Sequence, residues 1–163
     1  MLLKLLKENF FPNLFVVSII LIIFANGIQL FDVMITNERV QYWLDVANED
    51  LSLAEYIFKG GRWLYTAFMC HQAIEKTIKA YWVNVREDEP PYIHSHIKLL
   101  KGCGLADIMT DEQLRFIDIM VPMNIEARYP DYKREVAKSL NENAAKHILE
   151  QTKQFLQWIH QRF

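Results

Sequence analysis

After residue 36, apolar residues recur every three or four positions in one segment after another, and this spacing constrains the fold more than any other feature. A period near 3.6 is typical of an α-helix with one face turned toward a core. The first segment begins after Thr36 or Asn37, whose side-chain oxygens can cap a helix. "KGG" at 59–61 ends it, because glycine readily adopts positive φ. The periodic apolar residues of this segment are Val40, Trp43, Leu44, Ala47, Leu51, Ala54 and Ile57.

Two other long segments show the same period. Residues 62–85 form a second predicted helix, which "REDEPPY" at 86–92 ends because proline cannot continue a helix. Residues 138–161 form the last predicted helix. The residues predicted to face the core are Trp63, Ala67, Cys70, Ile74, Ile78 and Tyr81 in the second helix, and Ala144, Ala145, Ile148, Phe155, Leu156 and Ile159 in the last.

The stretch between these helices predicts shorter ones. Ser95 caps a helix in "HSHIKLLKGCGL", and Gly102 stops it. The spacing of Thr110–Gln113 is that of a capping box, which predicts a helix start. Pro122 then bends or interrupts this helix, and Pro130 marks a loop.

No segment has the pattern of a strand, so the predicted fold is all-α, an up-and-down bundle of four or five helices with short connections. Five glycines and five prolines are too few for a turn-rich β fold. The formal net charge of −2 gives the whole chain no electrostatic bias toward nucleic acid. Cys70 and Cys103 have no zinc-type spacing and indicate free thiols in a reducing compartment.

The N-terminus is a separate problem. The chain is 52% apolar, and the excess lies in the first residues, where 9–31 carry no charge. Three interpretations stay open: a membrane anchor with Lys4 and Lys7 on the inner side, a signal peptide, or an upstream start codon placed before a true start at Met34. The predicted division is therefore an apolar segment, residues 1–33, and a helical domain, residues 34–163.

The second helix carries polar residues that invite a search for chemistry. His71 and Glu75 lie at i and i+4, so they share a helix face. A metal site needs a third ligand, which His94 or His96 would supply only if the fold brought the segments together. The spacing matches no common zinc pattern, and the prediction is therefore no metal and no cofactor.

A simpler interpretation makes part of this segment ordinary surface. Glu75, Lys76 and Lys79 would then form an exposed strip beside the packed face, with Glu75 and Lys79 as a favourable i, i+4 pair.

The stretch "EARYPDYKRE" at 126–135 combines cations with aromatic rings. Arg128 beside Tyr129 and Tyr132 suits contacts with phosphates and bases. The alternative is that Arg128 pairs with Asp131 or Glu126 and only shapes the loop.

Taken together, "YWLDVANEDLSLAEYIF", "FMCHQAIEKTIKAYW", "HSHIKLL" and "EARYPDY" resemble, in order and spacing, the HEPN domain family (higher eukaryotes and prokaryotes nucleotide-binding). The resemblance covers about residues 34–162. It implies an antiparallel bundle that often forms homodimers, binds nucleotides or RNA, and works beside nucleotidyltransferases or in toxin–antitoxin and defence systems. It also favours Met34 as the start and the cytoplasm as the location, with the inner membrane as the alternative if residues 9–31 are retained.

Many members of this family are metal-independent ribonucleases marked by Arg, four to six residues, then His. This sequence lacks that motif, because eight residues separate Arg62 from His71 and seven separate Arg86 from His94. The resemblance therefore implies a non-catalytic binding module rather than an enzyme. The alternatives are a ribonuclease toxin with a non-standard pair such as Arg128 and His96, or a purely structural dimerisation domain. The site residues carried over for nucleotide or phosphate binding are Arg128, Tyr129, Asp131, His96, Lys76 and Lys79.

Overall fold

The computed structural model describes residues 36–124 and 130–163, together with Ile22, Ile23 and Ile28. Contacts divide the chain into two units, Met1–Asn37 and Glu38–Phe163. Most of the apolar run at 9–31, and Met34, lie outside the described residues, so the three interpretations of the N-terminus stay predictions. Among the helices formed by the described residues, none is both long enough and apolar enough to cross a membrane.

The described residues form α-helices and short 3₁₀ turns, with no strand among them, which confirms the all-α prediction. The turns are Leu105–Ile108 and Val121–Met123. The helices are α1 (residues 36–59), α2 (Trp63–Arg86), α3 (His96–Gly102), α4 (Asp111–Met120), α5 (Pro130–Ser139) and α6 (Glu142–His160).

The caps predicted at Ser95 and Thr110 are confirmed by their hydrogen bonds. The Ser95 hydroxyl accepts from the backbone N–H of Lys98 at the start of α3. Thr110 and Gln113 form a reciprocal capping box at the start of α4, with bonds of 3.2 and 2.9 Å. Gly61 has φ of +70° just after α1, as the stop signal requires. These helix ends could be predicted from the sequence because each depends on residues that are close together in the chain.

Of the two predictions made for the prolines, one is confirmed and one is wrong. Pro122 interrupts the helix that begins after Thr110, because α4 ends at Met120 and a 3₁₀ turn containing Pro122 follows. Pro130 begins α5 instead of marking a loop, since proline suits the first turn of a helix, where its missing N–H breaks no bond. The last helix begins at Glu142, because the Asn141 side chain caps it, rather than at residue 138.

The core lies around α2, which packs extensively against α6. The apolar residues that the period assigned to the inside of α2 and α6 are buried there, with Trp63, Tyr81 and Ala144 partly buried at the margin. In α1, Val40, Ala47 and Ala54 are buried, whereas Trp43, Leu44, Leu51 and Ile57 are only partly buried. Cys70 and Cys103 are free and buried, and burial raises the pKa of the Cys70 thiol to about 12. The buried members predicted for the two helices are Ala67, Cys70, Ile74, Ile78, Ala145, Ile148, Phe155, Leu156 and Ile159.

The short helix α3 contacts α2 at both of its ends. His96, its first residue, lies against His71. Gly102, its last, lies against the Trp82 ring so closely that a Cβ at this position would overlap the ring atoms. Trp82 is itself held, because its indole N–H donates to Asp88 at 2.5 Å and the Arg86 guanidinium lies 5.0 Å from its ring centre.

Candidate functional site

Three polar residues of α2 stand one turn apart and are buried. His71 is 2% exposed, Glu75 1% and Lys79 6%. Their i, i+4 spacing places them on one side of the helix. The interpretation of Glu75 and Lys79 as an exposed strip is therefore wrong, because α3, the preceding loop and Trp43 of α1 cover this side of the helix.

Glu75 is the centre of a charged network. Its Oε1 accepts a hydrogen bond from Lys79 Nζ at 2.8 Å, and both side chains are almost fully buried. His94 Nδ1 lies 3.1 Å from each carboxylate oxygen, while most of the His94 side chain stays in solvent. Lys79 Nζ also lies 5.2 Å from the centre of the Trp43 ring, a cation–π distance. A buried carboxylate therefore links a buried ammonium to an exposed imidazole.

His96 closes the network from α3. Its ring stacks on His71 with centroids 4.0 Å apart and planes inclined by 30°. Its Nε2 lies 3.1 Å from the backbone carbonyl oxygen of His71, and a carbonyl can only accept, so Nε2 carries the hydrogen. In neutral His96 the lone pair is consequently on Nδ1.

The two stacked histidines are uncharged near neutral pH. Burial lowers the pKa of His71 to about 4, although the nearby Glu75 carboxylate raises it in part. Burial also lowers the pKa of His96 well below its ordinary value, and His71 lowers it further. Near neutral pH each imidazole is therefore uncharged, and each has one nitrogen lone pair that can bind a ligand.

A pocket of about 360 Å³ opens beside this cluster. Its volume lies within the range usual for small-ligand sites. Lys98, which is exposed, brings a positive charge to it. The lining residues are His71, Ile93, His94, Ser95, His96, Lys98, Val121 and Asn124, with no carboxylate among these described side chains.

The residues predicted for the site are only partly brought together. His96 and Lys79 belong to the cluster, but Lys79 is engaged by Glu75. Lys76 points elsewhere: its Nζ lies 2.5 Å from Gln72 Oε1 and 3.6 Å from an Asp50 oxygen.

The remaining predicted site residues lie near the start of α5. Arg128 and Tyr129 lie outside the described residues. Asp131 is on the surface of α5, where it pairs with Arg134 at 3.3 Å. The assignment of all six residues to a binding site stays a prediction.

Sequence reasoning left out Lys98 and Asn124 and set aside His71, Glu75 and His94. The sequence did contain a signal for His71 and Glu75, because His71, Glu75 and Lys79 follow one another at i, i+4 spacing. What the sequence did not give was the position of the loop at 91–95 and of α3 against that helix face. Lys98 and Asn124 carry no local signal that separates them from ordinary surface residues.

One group in this cluster has the composition of a metal site. His71, Glu75 and His96 each offer a ligand atom, and these atoms lie within 4.8 Å of one another. The condition set from the sequence, that the fold must bring α2 and the following histidines together, is met.

Comparison with known proteins gives a family and a fold. The family model described as "HEPN domain" matches residues 40–162. The crystal structure of TT1696 from Thermus thermophilus is similar, with a TM-score of 0.62 and 20% identity over 77% of this chain and 98% of that one. The structure of ST0689, an archaeal HEPN homologue, is similar with a TM-score of 0.55 and 20% identity over 76% of this chain and 97% of that one. No curated protein matches the sequence.

Proposed function

The chain belongs to the HEPN domain family, and from that premise we propose that it is a non-catalytic domain that binds the phosphate of a nucleotide or of RNA. The proposed position is the pocket beside His71 and His96.

The supporting observation is the lining of this pocket. It combines a lysine, three imidazoles, a hydroxyl and an amide, and its described lining contains no carboxylate that would repel an anion. Asn124 lies at its edge and Arg128 follows four residues later in the sequence. We propose that Arg128 supplies the planar donor pair that phosphate groups prefer.

The non-catalytic part of the proposal rests on the state of the histidines. General acid–base catalysis needs an imidazole that reaches the substrate and titrates near neutral pH. His71 and His96 are buried, with pKa values held low by burial. His94 is exposed, but no arginine precedes it at the spacing of the ribonuclease members.

The test is a titration of labelled nucleotides and a short single-stranded RNA into the full chain. We expect Lys98→Ala and Arg128→Ala each to weaken binding by about tenfold, the cost of one charge-assisted hydrogen bond. The affinity should fall with added salt, because phosphate contacts release counterions. Lys146→Ala is the matched control, since Lys146 is exposed on α6 away from the pocket lining and should leave the affinity unchanged.

Two results would contradict the proposal in different ways. Absent binding, or equal binding in all four proteins, would reduce the chain to a structural partner domain. Cleavage of the RNA during the titration, lost in Arg128→Ala, would replace the binding module with a ribonuclease.

The proposal extends to partners and location. We propose a homodimer, with a nucleotidyltransferase or toxin–antitoxin partner as the wider setting, and the cytoplasm as the compartment. The buried free thiols of Cys70 and Cys103 support a reducing compartment. Light scattering on the full chain tests self-association, and a monomer at high protein concentration would contradict the homodimer.

A further inference from the structure

We propose that His71, Glu75 and His96 form a binding site for one divalent transition-metal ion of the Zn²⁺ class. Two imidazole nitrogens and one carboxylate oxygen are the protein ligands of many zinc sites that keep an open coordination position. The same donors also suit Co²⁺ and Ni²⁺.

The three side chains lie close together. His71 and Glu75 are one helical turn apart on α2, and His96 reaches the same point from the first position of α3. One ligand atom of each lies within 4.8 Å of the others. Bonds of about 2.0–2.2 Å would draw these atoms together by roughly one to one and a half ångströms. The two imidazole rings, now stacked with their planes inclined by 30°, would have to tilt so that the ion lies in the plane of each, a change of side-chain rotation rather than a rearrangement of helices.

The two histidines hold buried nitrogens that lack a described hydrogen-bond partner. Nδ1 of His71 and Nδ1 of His96 are buried, and neither has a hydrogen-bond partner among the residues that the structure describes. Each ring belongs to a side chain only 2% exposed. A buried polar atom without a partner costs free energy, and native proteins rarely leave two of them side by side. A metal ion between them would bond to both nitrogens, with His71 in the tautomer that carries its hydrogen on Nε2.

His96 makes a hydrogen bond on the other side of its ring. His96 Nε2 donates to the backbone carbonyl of His71 at 3.1 Å. A metal-bound histidine usually donates its second N–H to a carbonyl or carboxylate, which fixes both its tautomer and its ring orientation. His96 is thus already in the state that presents a lone pair from Nδ1.

The surroundings of Glu75 set the charge of the site. Lys79 occupies Oε1 at 2.8 Å, which leaves Oε2 with His94 as its described partner. His94 is 65% exposed in its side chain and can turn away, or supply a fourth nitrogen. The pocket adjoins the cluster through His71 and His96, so an open coordination position would be reached from solvent.

The inference does not rest on the proposed function, because the metal is measured without any nucleotide. Untagged full-length protein is stripped with a chelator, and Co²⁺ is titrated while its visible absorption is recorded. We expect one Co²⁺ per chain, the strong bands of a four- or five-coordinate ion, displacement by Zn²⁺, and a higher melting temperature with Zn²⁺.

Variants assign the ligands. His71→Asn and His96→Asn should weaken Zn²⁺ binding by more than the 10–100-fold that loss of a supporting hydrogen bond costs. His147→Asn is the matched control, because His147 is exposed on α6, and its affinity should stay at the wild-type value. Circular dichroism checks that each variant is folded.

If a variant fails to fold, X-ray absorption on the wild-type protein with Zn²⁺ shows whether imidazoles coordinate the ion. Scattering from two imidazoles in the coordination shell supports the site. Absent stoichiometric binding, a shell without imidazole, or full affinity in folded His71→Asn would overturn the proposal.

Discussion

Helix α2 is buried on two sides that obey different chemistry. On one side, Ala67, Cys70, Ile74 and Ile78 join an apolar cluster that includes residues of α6. On the other, His71, Glu75 and Lys79 are buried to the same degree but make polar contacts with α3, the preceding loop and Trp43.

The two sides of α2 stabilise the protein in different ways. The apolar side stabilises the bundle by removing hydrocarbon from water, a term that needs no particular partner. The polar side needs every partner in place, because a buried charge or lone pair without one is costly. Among the described residues, two imidazole nitrogens on this side have no hydrogen-bond partner. Their free-energy cost favours a role for this side in binding a ligand.

The buried ion pair gives the largest test of this contrast. Lys79→Met leaves Glu75 buried without its ammonium partner, and we expect a loss of about 3–5 kcal/mol in the free energy of unfolding. The double variant Glu75→Gln/Lys79→Met should recover most of that loss, since no lone charge is left. Urea denaturation of the wild type, both single variants and the double variant measures the coupling. Strictly additive losses would show that the pair does not act as a unit.

The apolar side should respond to volume alone. Ile74→Ala leaves a cavity in the core, and we expect a loss of about 2–5 kcal/mol that is the same at pH 7 and pH 5. Ile119→Ala is the control, because Ile119 is 49% exposed and its truncation should change stability by less than about 0.5 kcal/mol. If the loss of stability caused by Ile74→Ala were larger at low pH, the two sides of α2 would not differ in their response to pH.

The polar side should respond to pH. In the unfolded chain a histidine takes up a proton below its ordinary pKa of 6.5, whereas folded His71 does so only near pH 4. The unfolded state then binds more protons, so the stability present above pH 6.5 declines as the pH falls toward 4. The slope is about 1.4 kcal/mol per pH unit for each such histidine.

Denaturation at half-unit steps between pH 7 and pH 4 measures this slope in the metal-free protein. His71→Phe should lower it, while His147→Phe, a change at an exposed position, should leave it as in the wild type. Equal slopes in all three proteins would mean that folded His71 takes up its proton as the unfolded chain does.

We expect the smallest effect from an ion pair that is exposed to solvent. Lys138 Nζ lies 2.7 Å from Glu135 Oε1 on α5, with both side chains at least 70% exposed. Lys138→Met should change stability by less than about 0.5 kcal/mol, because a solvated pair of this kind contributes little. A cost comparable to that of Lys79→Met would show that burial is not what separates the two pairs.

The sequence was informative wherever the rule was local. The apolar faces of α2 and α6 and the caps at Ser95 and Thr110 followed from spacing and from side chains close to the backbone groups they bond. Pro130 was misread because proline suits both a loop and the first turn of a helix, and the difference depends on the residues after it. The polar cluster was missed because burial of Glu75 and Lys79 depends on residues far along the chain, which periodicity does not describe.

Gly102 has no chemistry of its own, yet the position of His96 depends on it. With any side chain at position 102, the Trp82 ring would have to move or α3 would have to withdraw, and the stacking of His96 on His71 would open with it. Positions 82 and 102 should therefore co-vary in evolution. Among homologues that keep the paired histidines, we expect a residue larger than glycine at 102 only together with a residue smaller than tryptophan at 82.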